Sequence, residues 1–143
     1  MRVMAIDYGD ARTGVAFSDL SGTLAGETAV LPSYNGETLF AALCRMARER
    51  QAGIIALGLP KNMDGSEGPR AEKSRALAAR LKSEGFVVEL VDERRTTVEA
   101  HAILSEAGRH GRQRRQRIDA VAATLILETF LNKRIFKATP HNS

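Results

Sequence analysis

The run Arg2-Val3-Met4-Ala5-Ile6 ends on Asp7-Tyr8-Gly9, and a second apolar run, Thr13 to Phe17, begins almost at once. This pairing constrains the fold more than any other feature of the chain. A short run that is apolar at successive positions fits a strand buried on both faces, and Gly9 and Gly14 fit a tight passage into a neighbouring strand. Asp7 then stands at a strand end, where a carboxylate is positioned for chemistry.

The remainder reads as an alternation of strands and helices. Glu27 to Leu31 is a weaker third strand stopped by Pro32. Over Thr38 to Arg50, Leu39, Ala42, Leu43, Met46 and Ala47 recur at the spacing of an amphipathic helix. Ile54 to Leu57 is a fourth strand. The polar, glycine-rich stretch Gly58 to Pro69 (GLPKNMDGSEGP) is expected as a loop, followed by a helix from Arg70 to Ser83 and a fifth strand from Phe86 to Val91. Thr96-Thr97-Val98-Glu99 matches a capping box, which starts a helix just past Arg95, running to about Ala107. Ile118 to about Asn132 is the last helix, with Lys137 to Ser143 as a loose tail. The order β-β-β-α-β-α-β-α predicts an α/β layered domain over 1–136, in which sites lie beyond the carboxyl ends of strands.

At 143 residues such a chain buries a sizeable single core without staples. The lone Cys44 lies among apolar residues at helical spacing and reads as a core residue. One unpaired thiol, no signal-peptide pattern and no long apolar span fit a cytoplasmic protein. The net charge of +4 is concentrated: RHGRQRRQR (109–117) contributes +5, and the other 16 cations against 17 acids net −1. A local basic run suits phosphate contacts. Aromatic residues make up 5% of the chain and none lies in that run, so recognition through backbone or shape is expected rather than base stacking.

Three acids in separate segments are candidates for one site: Asp7, Glu93 after FVVELVD, and Asp119 in IDAVAATLILETFL. Asp119 shares a helical stripe with Ala122, Ala123, Ile126 and Phe130, which turns it toward the sheet. Carboxylates are the ligands that Mg²⁺ or Mn²⁺ prefer, and His101, His110 and His141 form no zinc pattern. Gathered carboxylates repel one another unless cations neutralise them, and a two-metal site of this kind hydrolyses phosphodiesters. Asp10, Asp19 and Asp92 compete for these places. Alternation puts Asp92 and Glu93 on opposite faces, so one of them enters the cluster, and spacing does not say which. Lys61 in the glycine-rich loop, and Arg112, Arg114, Arg115 and Arg117 in a basic loop before the last helix, are candidate phosphate contacts.

With these residues in place, the segments DYGDARTGVAFSD, GLPKNMDGSEGP, VDERRTTVEA and IDAVAATLILETFL, in this order over residues 2 to 133, closely resemble the bacterial YqgF family, also called RuvX. The resemblance implies a ribonuclease-H-like mixed five-stranded sheet with helices on both faces. It also implies a metal-dependent endonuclease in which Asp7, Glu93 and Asp119 match the acidic positions and Arg12 and Arg95 the flanking basic ones. The implied role is maturation of the 5′ end of precursor 16S rRNA, with the precursor rRNA or a pre-ribosomal particle as partner. Resolution of branched DNA is the nearest alternative, and a non-catalytic RNA-binding assembly factor is a reading from another class. Where the family often carries lysines before the last acid, this chain has RQRRQR, which keeps the charge but offers bidentate phosphate contacts.

Overall fold

A computed structural model describes residues 1–93 and 111–138, with side chains at 1–93 and 117–133. Five strands form one sheet: β1 (Arg2–Tyr8), β2 (Arg12–Ser18), β3 (Ala25–Pro32), β4 (Ala52–Leu59) and β5 (Val88–Asp92). Their order is β3-β2-β1-β4-β5. β1 pairs antiparallel with β2, and β2 with β3, while β1 with β4 and β4 with β5 run parallel. The mixed sheet expected from the sequence is therefore present, and β1 lies at its centre.

Val3, Met4, Ala5 and Ile6 are all fully buried, so β1 is covered on both faces as its unbroken apolar run requires. On one face Met4, Ile6, Val15, Phe17, Ile55 and Leu57 pack against α1 (Gly36–Glu49) and α2 (Pro69–Ser83), through Leu39, Leu43, Leu77 and Leu81. On the other face Val3, Ala5, Ala16, Ile54, Ala56 and Val91 meet α3 (Gly111–Ala138), through Ala123, Ile126, Leu127 and Phe130. That second face is built mainly from small side chains. Alanines at 5, 16 and 56 let a helix lie close to the backbone of the sheet, and this closeness shapes the site.

Several boundaries differ from the sequence reading. Gly58 and Leu59 complete β4, and Pro69 opens α2 as a favourable first-turn residue, so the loop between them covers only 60–68. Arg112, Arg114, Arg115 and Arg117 do not lie in a loop: α3 already runs from Gly111, because arginine and glutamine are good helix formers and no breaker separates RQRRQR from the apolar stripe. Asp119 is consequently two turns inside a helix and does not cap one. At its other end α3 continues through Lys137 and Ala138, where the sequence predicts a loose tail. The helix expected over Thr96 to Ala107, with its capping box, lies outside the described residues, as do Arg95 and 139–143.

Candidate active site

Alternation along the strands sorts the acids. In β1, Asp7 has the parity of Val3 and Ala5, which face α3. In β5, Val91 faces α3 while Val88 packs on the opposite layer, so Glu93 follows Val91 toward α3 and Asp92 does not. The backbone N–H of Glu93 donates to the carbonyl of Leu59 at 3.1 Å, extending the β4–β5 ladder one residue past β5. Asp92 also borders a cleft of about 310 Å³ along the β5 edge of the sheet, with Thr129, Phe130 and Lys133.

Two glycines make room for the acids to meet. Asp7 pairs directly with Gly14 across the antiparallel ladder. A Cβ at Gly14 would collide with the carbonyl oxygen of Asp119 and sit 2.8 Å from its carbonyl carbon, so the α3 backbone rests on β2 at this point. On the other side of β1, Gly58 lies one step past the Ile6–Leu57 pair. A Cβ there would stand 2.7 Å from Cδ of Glu93 and 2.6 Å from Cδ1 of Ile126. The Glu93 side chain passes over this bare position and hydrogen-bonds with Asp7, two strands away.

The electrostatics follow from that approach. Glu93 is only 8% exposed. Burial, then its hydrogen bond to Asp7 and the charge of Asp7, push its carboxyl up to about 9, with the Arg70 charge opposing. Burial and the neighbouring acid thus favour the protonated form of Glu93 beside Asp7. The carboxyl of Asp119 is also raised, first by burial and further by Asp7, although Arg12 acts against both. The Nε–H of Arg12 donates to Oδ2 of Asp119 at 2.7 Å.

The competing acids go elsewhere. Asp10 is exposed and pairs with Lys73 at 3.1 Å. Asp19 follows β2 at the opposite end of the strands from Asp7, where its Oδ1 accepts from the backbone N–H of Thr23 at 2.9 Å and of Leu24 at 3.3 Å. Lys61 lies in the 60–68 loop, within electrostatic reach of Glu67. Arg117 is exposed, two residues before Asp119, while Arg112, Arg114 and Arg115 occupy the first turns of α3. Arg70, in the first turn of α2, is a cation near Glu93 that the sequence reading missed. Its signal was faint, a single arginine after Gly68-Pro69.

All three acids offer hard oxygen donors, the set suited to Mg²⁺ or Mn²⁺. Among the described residues no three such groups already close around one point. A hydrogen bond joins Asp7 to Glu93, and a guanidinium holds Asp119. The raised carboxyl of Glu93 and the arginine at Asp119 mark negative charge that a divalent ion would neutralise, so the residues present fit that group.

Comparison with known proteins identifies relatives over most of the chain. A protein of Pelotomaculum thermopropionicum named "Putative pre-16S rRNA nuclease" is 44% identical over 134 residues, covering 92% of this chain and 87% of that one. A Myxococcus xanthus protein of the same name is 45% identical over 133 residues, covering 92% and 88%. Among solved structures, Thermus thermophilus RuvC in complex with Holliday junction substrate matches with a TM-score of 0.62 at 14% identity, covering 98% of this chain and 99% of that one. The fowlpox virus resolvase in complex with Holliday junction DNA matches at 0.60 and 9% identity, covering 94% and 99%. These two share the ribonuclease-H-like fold. The model of the RuvX family, described as Holliday junction resolvase, matches residues 1–133, and the chain belongs to that family.

Proposed function

We propose that this chain is a metal-dependent endonuclease that hydrolyses phosphodiester bonds, acting in the cytoplasm on the 5′ end of precursor 16S rRNA. The observation that carries the reading is the meeting of Asp7 and Glu93 over Gly58, beside an Asp119 held by Arg12. An acid pushed up to about 9, first by burial and then by a second acid, is costly for a fold to maintain, and such perturbed pairs cluster at functional sites. The names of the relatives favour rRNA as the substrate.

Asp7, Glu93 and Asp119 would hold Mg²⁺ or Mn²⁺, in a two-metal site. Bound there, the ions supply a water of lowered pKa and neutralise charge on the phosphodiester. The remaining work falls to the chain itself. Glu93 releases its proton and becomes an oxygen donor. Arg12 and Arg70 flank the carboxylates and neutralise backbone phosphate. The arginines in the first turns of α3, including the exposed Arg117, contact phosphates farther along the strand, Lys61 does so from the loop that follows β4, and Arg95 is a further phosphate contact.

Branched DNA is the second reading, favoured by the description of the family. The chemistry at the carboxylates serves either sugar equally. Cleavage of a 5′-extended 16S rRNA precursor and of a four-way DNA junction, each with Mn²⁺ and with chelator, separates the two. Manganese-dependent cutting of the precursor alone supports rRNA processing, and cutting of the junction alone supports resolution. Cutting that persists in chelator contradicts the metal-dependent reading.

A further inference from the structure

Arg12 stands at the start of β2 and has one ion-pair partner among the described residues, Asp119. The bond from Nε to Oδ2 is 2.7 Å long, with side-chain exposures of 31% and 16%. A charge-assisted hydrogen bond of this length in a partly desolvated place is stronger than a surface pair. The backbone of Asp119 rests directly on Gly14, two residues along β2 from Arg12, which sets the two side chains beside one another. One carboxylate oxygen of Asp119, Oδ2, is therefore already engaged by a guanidinium, which competes with a divalent cation for the same negative charge.

We infer that Arg12 is a positioning residue that links cation binding to nucleic-acid binding, serving Asp119 in the free protein and a backbone phosphate in the complex. The inference rests on the metal-dependent reading of the carboxylate site. When a phosphate draws the guanidinium away, Asp119 is left as an open oxygen donor, and the divalent cation binds more tightly. Linkage requires the reverse as well: the cation frees Arg12, and nucleic acid binds more tightly by the same factor. Without substrate, the site stays poorly loaded.

The test is calorimetric titration of Mn²⁺ into the full chain, alone and with a 2′-O-methyl RNA hairpin as an uncleaved stand-in for substrate. Wild type, Arg12→Gln, Arg12→Lys and Asp7→Asn are compared. Without RNA, Arg12→Gln should bind Mn²⁺ about tenfold more tightly than wild type, a factor equal to about 1.4 kcal/mol. RNA should tighten Mn²⁺ binding to wild type by at least about fivefold, the lower end of ordinary coupling, and leave Arg12→Gln nearly unchanged. Arg12→Lys keeps the charge but lacks the planar Nε donor, and should fall between them. It also carries the test if Arg12→Gln does not fold. Equal Mn²⁺ affinity in wild type and the Arg12 variants, or equal tightening by RNA in all of them, overturns the linkage. Unaltered Mn²⁺ binding in Asp7→Asn overturns the metal-site reading beneath it, a separate outcome.

Discussion

Gly58 leaves the space that the Glu93 side chain crosses to reach Asp7: a Cβ on residue 58 would lie 2.7 Å from Cδ and 2.9 Å from Cγ of Glu93. Gly14 serves Asp119 in the same way, but there the neighbour is the helix backbone. The difference predicts an order of effects. Gly58→Ala displaces two side-chain ends and should destabilise by about 1–3 kcal/mol, the usual cost of overpacking, while moving Glu93 and sharply reducing cleavage. Gly14→Ala must push α3 off the sheet and should cost more. Urea unfolding of both variants measures this. Equal stability of Gly14→Ala and wild type would show that the helix does not rest on β2.

The raised carboxyl of Glu93 makes the metal-free protein sensitive to pH. Between about 4.5 and about 9 the folded protein holds a proton on Glu93 that the unfolded chain has lost, so stability falls as pH rises through that window. The slope contributed by one proton is at most about 1.4 kcal/mol per pH unit. Glu93→Gln removes the titration. In chelator, its melting temperature should exceed that of wild type at pH 8 and lose most of the difference at pH 5. A wild-type melting temperature that rises from pH 5 to pH 8 as strongly as that of Glu93→Gln would contradict the buried protonated carboxyl.

Asp19 provides a contrast at the far end of the strands. Hydrogen bonds from the backbone of Thr23 and Leu24 lower its carboxyl to about 2, from the 3.8 usual for aspartate. Its contribution is complete above that usual value and is lost as pH falls toward 2. Asp19→Asn should lower the melting temperature at pH 7 by a few degrees, narrow its gap to wild type as pH approaches 2, and leave cleavage intact. Loss of cleavage in a folded Asp19→Asn protein would place chemistry at the wrong end of the sheet.

Arg115 and Arg117 open α3 on the way to Asp119. Alanine at either position should weaken nucleic-acid binding about equally across sequences and reduce the slope of log affinity against log salt by roughly one for each phosphate left without its arginine. Fluorescence anisotropy over a series of salt concentrations measures it. An unaltered slope in both variants would mean that these arginines are only solvated helix surface.

Much of this is legible in the chain itself. The unbroken apolar run before Asp7 marks a central strand, and the strands and helices among the described residues follow the periodicity of their sequences. Periodicity also turns Asp119 inward, as the burial of Ala123, Ile126 and Phe130 bears out. What spacing could not convey is sidedness. Asp92 and Glu93 are adjacent, and only the packing of Val88 and Val91 on opposite layers decides between them. Nor could it convey the role of Gly58, which reads as the start of a loop until the strand is seen to carry it past a neighbouring carboxylate. The arginine run misleads for a related reason: its charge suggests a loop, whereas arginine and glutamine propagate a helix readily.

Asp7 hydrogen-bonds with Glu93, and its charge reaches Asp119. The most direct test is single-turnover cleavage of a 5′-extended 16S rRNA precursor in Mn²⁺ by wild type and Asp7→Asn, with binding of the same RNA measured alongside. The account predicts that Asp7→Asn binds the RNA within about threefold of wild type and cleaves it at least about a thousandfold more slowly, a loss of roughly 4 kcal/mol of transition-state stabilisation. Cleavage by Asp7→Asn at the wild-type rate would contradict it.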